Sequence, residues 1–162
     1  MLQLRASLDA AGFPATKLIA MDGGYDPTET ALAAGNASYR AAIHGAGLHY
    51  PCDHPAPAVE ALGWAFWASE DYSRDPAWDD GGSYWGQALN TNYIFSNNTA
   101  TIAWSLIWSA YTNLVCNGAG LMRAHTPWSG SYEASAPIWM SAHLNQCVCR
   151  APFCAAGRLA NV

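Results

Sequence analysis

Four short apolar runs, each stopped by glycine, proline or a polar group, constrain the fold of this chain more than any other feature. They are Lys17-Leu18-Ile19-Ala20-Met21-Asp22, a stretch within residues 41–50 that ends at His49-Tyr50-Pro51, Trp64-Ala65-Phe66-Trp67-Ala68-Ser69-Glu70, and the β-branched, aromatic residues 99–109. Apolar runs this short, bounded by such breakers, read as buried strands. The segments between them have helical composition. Residues 2–11 carry a Leu-rich face ended by Gly12 and Pro14, and residues 28–40 are Ala-rich with Asp26-Pro27 as their start. Residues 55–62 predict a short helix or turn, and residues 85–96 a further helix. Residues 118–135 read as a long loop, and residues 137–146 as a last helix with Pro137 in its first turn. Alternation of this kind implies parallel βαβ units, in a barrel or an open doubly wound sheet. No Gly-rich G-x-G-x-x-G turn follows a strand, which disfavours a nucleotide-binding sheet.

Composition narrows the function classes. At 162 residues, 51% of them apolar, the chain can bury a real core. Charged residues make up only 12%, and the net charge of −5 argues against nucleic acid, which selects Lys/Arg-rich faces. No apolar run reaches the length of a membrane span, and the first residues lack the charged head and apolar stretch of a signal peptide. The eight tryptophans fit either sugar-stacking platforms or the filling of a core. The five cysteines, Cys52, Cys116, Cys147, Cys149 and Cys154, are spaced wrongly for common zinc sites; disulfides or buried thiols suit them better, and no metal is expected. Two sequons, Asn36-Ala37-Ser38 and Asn97-Asn98-Thr99, are compatible with a secreted or lysosomal protein.

In a (β/α)8 barrel the reactive groups sit at the C-terminal ends of the strands. Polar residues recur there in this sequence: Asp22, then His49 and Tyr50, then Glu70, Asp71 and Ser73, with Trp104 on the fourth strand. Glu70 stands out because it ends an almost wholly apolar strand, where an isolated charge is costly unless paired or functional. A salt bridge to Arg74 or Arg123 is the alternative to catalysis. Asp71 is expected to point away from Glu70 and to serve as a helix cap or loop residue. Retaining glycosidases use two carboxyl groups about 5–5.5 Å apart. Asp22, Asp26, Glu29 and Glu133 are the candidates for a partner to Glu70, and none is convincing from sequence: Gly23-Gly24 suggests a turn role for Asp22, and Glu29 lies in a helical segment.

Several motifs occur in order: Ser69-Glu70-Asp71-Tyr72-Ser73, Tyr84-Trp85-Gly86, Leu89-Asn90-Thr91-Asn92-Tyr93, Thr101-Ile102-Ala103-Trp104, Gly120-Leu121-Met122, Pro127-Trp128-Ser129-Gly130-Ser131-Tyr132 and Ile138-Trp139-Met140-Ser141-Ala142-His143. Together they resemble the galactocerebrosidase (galactosylceramidase) family of retaining lysosomal β-galactosidases that act on galactosylceramide, over most of the chain from about Leu18 to His143. The resemblance implies Glu70 as the catalytic nucleophile, Ser73 as a contact of the sugar site and Trp104 as a wall of the galactose pocket. It also implies that His49 lies near the nucleophile; a hydrogen-bonded histidine that only orients its neighbours is the other reading of that residue. No metal or organic cofactor is implied.

The departures are informative too. The family's acid/base glutamate follows an asparagine at the end of an earlier strand, and no Asn-Glu dipeptide occurs here. The expected fold is therefore α/β, a partial (β/α)8 TIM barrel comprising about the last four βα units, with the first half missing. Residues 1–146 are expected to form this C-terminal half-barrel, and residues 147–162 a divergent Cys-containing tail. The chain reads as a fragment of a truncated or partial gene product, inactive by itself. The expected partners are galactosylceramide or another β-galactoside and, for the complete enzyme, a lipid-presenting activator protein, with lysosomal or secreted localisation. A non-catalytic galactoside-binding or interaction remnant of such an enzyme is the alternative.

Overall fold

The computed structural model describes residues 1–51, 55–73, 81–109, 111, 113–114 and 119–147. The chain divides into two compact units, Met1–Tyr72 with Gln87–Trp104, and Ser73–Gly86 with Ser105–Val162. Arg74 and the cysteines other than Cys147 lie outside the described residues, as does the sequence beyond Cys147.

The first unit is built on a parallel sheet of β1 (Ile19–Ala20), β2 (Gly45–His49), β3 (Ala65–Asp71) and β4 (Ala100–Ala103), in the spatial order β1-β2-β3-β4. Helix α1 (Leu2–Ala10) precedes it. Helices α2 (Pro27–Gly35) and α3 (Ala37–Ala42) join β1 to β2, and α4 (Pro57–Glu60) joins β2 to β3. Helix α5 (Gly81–Asn90) and one π-helical turn, Thr91–Phe95, lead into β4. The fold is thus α/β with a parallel sheet, as the alternation of apolar runs implied.

Local chemistry sets the helix boundaries. The Asp26 carboxylate accepts from the Thr28 and Glu29 amides at 2.7 and 3.3 Å, with Pro27 opening the helix. Residues 28–40, which read as one helix, are two. Asn36 is extended at φ −132°, and its side chain accepts from the Tyr39 amide at 2.9 Å, capping α3. A side chain that offers the backbone its own hydrogen bond competes with the helix at that point.

The core of this unit gathers Ala20, Met21, Ala33, Ile43, Ala46, Val59, Leu62, Trp64 and Phe66, with Tyr25 and Tyr39 packed against it. Trp64 satisfies its indole N–H on the Arg40 carbonyl at 3.0 Å, so its ring is buried without an orphan donor.

The end of β3 breaks the strand's alternation. Phe66 and Ala68 are buried, so two-residue periodicity would bury residue 70; instead Ser69 and Glu70 are both half-exposed and Asp71 is buried. The pairing slips correspondingly: Leu48 faces Ala68 but His49 faces Glu70, and the β4 register shifts between Ala68 and Asp71. An extra residue in a strand flips the faces of those that follow. Asp71 therefore enters the interior, where its carboxylate accepts from the Tyr72 amide at 2.8 Å and from Asn92 Nδ2 at 2.9 Å. Asn92, fully buried, also donates to Thr101 Oγ1 at 3.2 Å, and Trp104 N–H donates to the Asp71 carbonyl at 2.7 Å. Asp71 is not a helix cap or loop residue but ties β3 to the π-helical turn and to β4.

The second unit holds β5 (Ile107–Ser109), β6 (Met122–Ala124) and β7 (Glu133–Ala134), in that spatial order, with β5 and β6 parallel and β7 antiparallel. A 3-10 turn, Pro127–Ser129, lies between β6 and β7, and α6 (Ala136–Cys147) follows. Residues 99–109, read as one strand, thus supply β4 and β5 of two separate sheets. Residues 118–135, read as loop, contain β6 and β7. The first turns of α5 approach α6 closely: a Cβ on Gly82 would stand 2.9 Å from Ala136 Cβ, and one on Gly86 would stand 3.2 Å from Met140 Sδ. Trp85, buried, donates its indole N–H to Ser141 Oγ at 2.7 Å.

Replacing Asn92 by Ala leaves a buried carboxylate short of a donor, which costs about 1–3 kcal/mol. Urea denaturation of Asn92→Ala is expected to show that loss; a midpoint equal to wild type would mean that the Asp71–Asn92 contact contributes nothing.

Candidate active site

Glu70 lies at the C-terminal end of the parallel sheet, turned off the core by the slip in β3. Its side chain is 27% exposed. The Tyr50 hydroxyl donates to Glu70 Oε1, and Tyr50 N–H donates to the Glu70 carbonyl at 3.0 Å. Tyr50 follows β2 directly and holds a left-handed φ of +53°, uncommon for a bulky residue. Backbone conformations of that kind persist where the surroundings fix them. Here the fixing groups are its two bonds to Glu70 and edge-to-face contacts with His49 and Tyr72, at ring-centre distances of 5.8 and 5.2 Å. The hydrogen bond to Glu70, with burial, holds the Tyr50 phenol above its ordinary value, so it remains protonated and acts as a donor.

His49, the last residue of β2, stands between two carboxylates. Its Nε2 is 3.0 Å from Asp22 Oδ1, and its Nδ1 is 3.6 Å from Glu70 Oε1. An ionised carboxylate only accepts, so the Asp22 contact places a proton on Nε2. Asp22 Oδ1 also accepts from Ser69 Oγ at 2.6 Å. That bond foremost holds the Asp22 carboxyl below its ordinary range; burial, next in size, opposes it, and the histidine adds to the lowering. The ring lies between the acids rather than among converging ligands, and no metal-binding cluster occurs among the described residues.

The remaining candidates for a partner carboxylate have structural roles. Asp26 caps α2, and Glu29 Oε1 accepts from the Tyr39 hydroxyl at 2.6 Å. Glu133, in the second unit, pairs with His125 at 3.0 Å. Glu70 itself pairs with His49 and Tyr50, not with an arginine, among the described residues.

Trp104 directly follows β4, stands at the same end of the sheet as Glu70 and is 37% exposed. Ser73 belongs to the second unit, where it is fully buried and donates to the Gly120 carbonyl at 3.2 Å. The structure thus brings Glu70 and His49 together, puts Trp104 on the same sheet end, and gives the Ser73 hydroxyl a backbone partner. Sequence reasoning places Tyr50 at a strand end without linking it to Glu70, and weighs Asp22 as a partner carboxylate or a turn residue without linking it to His49. The missing signal is register: it becomes visible only when β2 is laid beside β3.

Glu70, held by Tyr50 and faced by His49, thus stands at the C-terminal end of a parallel α/β sheet. The chain belongs to glycosyl hydrolase family 59, whose model matches residues 1–146. It is similar to galactocerebrosidase of Mus musculus, at 37% identity over 144 residues, covering 89% of this chain and 21% of the relative. Galactocerebrosidase of Homo sapiens is 38% identical over 143 residues, covering 88% of this chain and 21% of the relative. The chain therefore spans about a fifth of the length of these relatives. Among solved structures, the catalytic domain of the family 30 xylanase C from Talaromyces cellulolyticus matches with a TM-score of 0.62 at 16% identity, covering 87% of this chain and 33% of that chain. At such low identity the likeness speaks for the fold. No helix among the described residues is long and apolar enough to cross a membrane.

The Tyr50–Glu70 contact can be read spectroscopically. In Glu70→Gln the charge that holds the phenol protonated is gone, and Tyr50 should ionise nearer the ordinary value of 10.0. Ultraviolet titration is expected to show one tyrosine moving down; an unchanged tyrosine titration would exclude the contact.

Proposed function

We propose that this chain carries the nucleophile half of a retaining β-galactosidase site, with Glu70 as nucleophile and galactosylceramide as the substrate of the complete enzyme. The observation that carries the reading is the Tyr50 bond to Glu70 Oε1, which fixes the carboxylate and, among the described residues, leaves Oε2 to attack. In double displacement Glu70 forms a bond to the anomeric carbon as the bond to the leaving oxygen breaks, and water then hydrolyses the glycosyl ester. Trp104 offers an apolar face to the sugar. Ser73, carried over as a sugar-site residue, has its proton committed to Gly120, which fits a hydroxyl that holds the chain beyond the nucleophile. The galactosyl and lipid specificity rests on the family and on what its relatives are called. Lysosomal location and a lipid-presenting activator go with that specificity.

The sequential sheet order, with no reversal, fits four neighbouring strands of a (β/α)8 barrel wall better than a doubly wound sheet, whose order reverses at its switch point. Retaining hydrolysis also requires a general acid with a raised carboxyl pKa. Asp22 is held low, which makes it a poor proton donor. We infer that the acid/base group comes from outside the described residues, and that these residues alone bind galactosides with little turnover.

A fluorinated β-galactoside with a dinitrophenolate leaving group tests the nucleophile, because that leaving group departs without a general acid. Mass spectrometry is expected to find one fluorogalactosyl group on Glu70 and none on Glu70→Gln. Labelling of another carboxylate would remove Glu70 from the role. An unactivated β-galactoside should turn over at background rate; robust hydrolysis would show that the acid/base lies within this chain.

A further inference from the structure

The contacts around His49 extend away from Glu70, and the mechanism above makes no use of them. Asp22 follows β1, in a backbone segment where Met21 has φ +60° and Gly23 φ +113°. That bend brings its carboxylate to Ser69 Oγ at 2.6 Å and to His49 Nε2 at 3.0 Å. His49 N–H donates to the Gly23 carbonyl at 3.2 Å, so the same bend holds the histidine backbone. Ser69 lies on the half-exposed side of β3 by the strand's ordinary alternation, and the slip brings Glu70 to half-exposure beside it. Room for its hydroxyl comes from β2: a Cβ on Gly47 would meet Ser69 Oγ at 2.8 Å and Ser69 Cβ at 2.9 Å. Three strands thus converge on one ring. Among the described residues, the titratable groups facing His49 are Asp22 from the segment after β1, Glu70 from β3, and Tyr50 beside it, with Tyr72 edge-to-face on Tyr50.

We propose that Asp22, anchored by Ser69 in the space left by Gly47, is a positioning residue that fixes the orientation and proton of His49 beside the nucleophile. This rests on Glu70 being the nucleophile. The chemistry gives Asp22 a specific task. Glu70 starts as a carboxylate and becomes a neutral ester when it bonds to the sugar, so a histidine paired with Glu70 alone would lose its counter-charge midway. Asp22 keeps its charge throughout. The ring therefore stays held through Nε2–H in both halves of the reaction, with Nδ1 turned to the reacting carboxylate. An imidazolium between two carboxylates keeps a partner when Glu70 is consumed, and a neutral ring keeps one tautomer.

The experiment uses two readouts on the whole chain. The first, nitrogen-15 NMR of the histidine rings, does not depend on glycosidase chemistry. It is expected to show a protonated Nε2 on His49 in wild type, and altered His49 ring shifts in Asp22→Asn. Ser69→Ala and Gly47→Ala, which remove or displace the same hydroxyl, should alter those shifts in the same direction. The second is the pH profile of Glu70 labelling by the activated fluorogalactoside. In Asp22→Asn the labelling rate should fall on the order of tenfold, as for loss of one charge-assisted hydrogen bond, and the profile should move along the pH axis. A uniformly slower rate with unmoved pH profile and unmoved His49 shifts would overturn the positioning role and leave Asp22 a purely structural residue. If wild type is not labelled at Glu70 while the ring shifts still respond to Asp22, the function reading fails and the Asp22–His49 coupling stands.

Discussion

The slip at the end of β3 is the constraint from which the rest of the site follows. A strand that kept its two-residue period would bury Glu70 under the sheet and turn Asp71 out. With one residue extra, the burial is reversed: Asp71 enters the interior and Glu70 emerges where β2 ends. Each consequence needs its own compensation. A buried Asp71 is tolerable because Asn92 and the Tyr72 amide donate to it. An emergent Glu70 becomes ordered because Tyr50 and His49 meet it from the neighbouring strand.

The polar groups at this sheet end form a graded series rather than a uniform cluster. Glu70 takes a phenol donor and faces an imidazole. The imidazole in turn faces Asp22, and Asp22 takes a serine hydroxyl. The ring stands between the two acids, an alternation in which Glu70 and Asp22 do not lie directly against one another. That alternation lets two acids stand near one histidine without the mutual repulsion that would force one of them to protonate. It also separates their tasks: a carboxylate stabilised as the anion suits holding a ring, and a poor proton donor does not suit general-acid chemistry.

The helical segments were legible in outline because their signals are local. Asp26-Pro27 marks a helix start by capping and by the fixed φ of proline, and the structure begins α2 there. The break at Asn36 is not legible in the sequence, because an asparagine inside an Ala-rich run carries the same composition whether it caps or continues a helix. The division of residues 99–109 between two sheets is hidden for a similar reason. β-Branched and aromatic residues mark extended chain, not the sheet that the chain joins.

What the sequence determined by itself was the parallel α/β plan, the family, and Glu70 as a carboxylate at the end of an apolar strand. All three depend on periodicity, on local capping or on ordered motifs, which are properties of neighbours along the chain. Tertiary structure alone decided which groups hold Glu70 and which way Asp71 points. Tyr50, Asp22 and Ser69 lie 20, 48 and 1 residues from Glu70 along the chain, and no local rule ties the first two to it. Their meeting is set by strand register and by the one-residue slip in β3, and register is fixed only when the strands pack side by side.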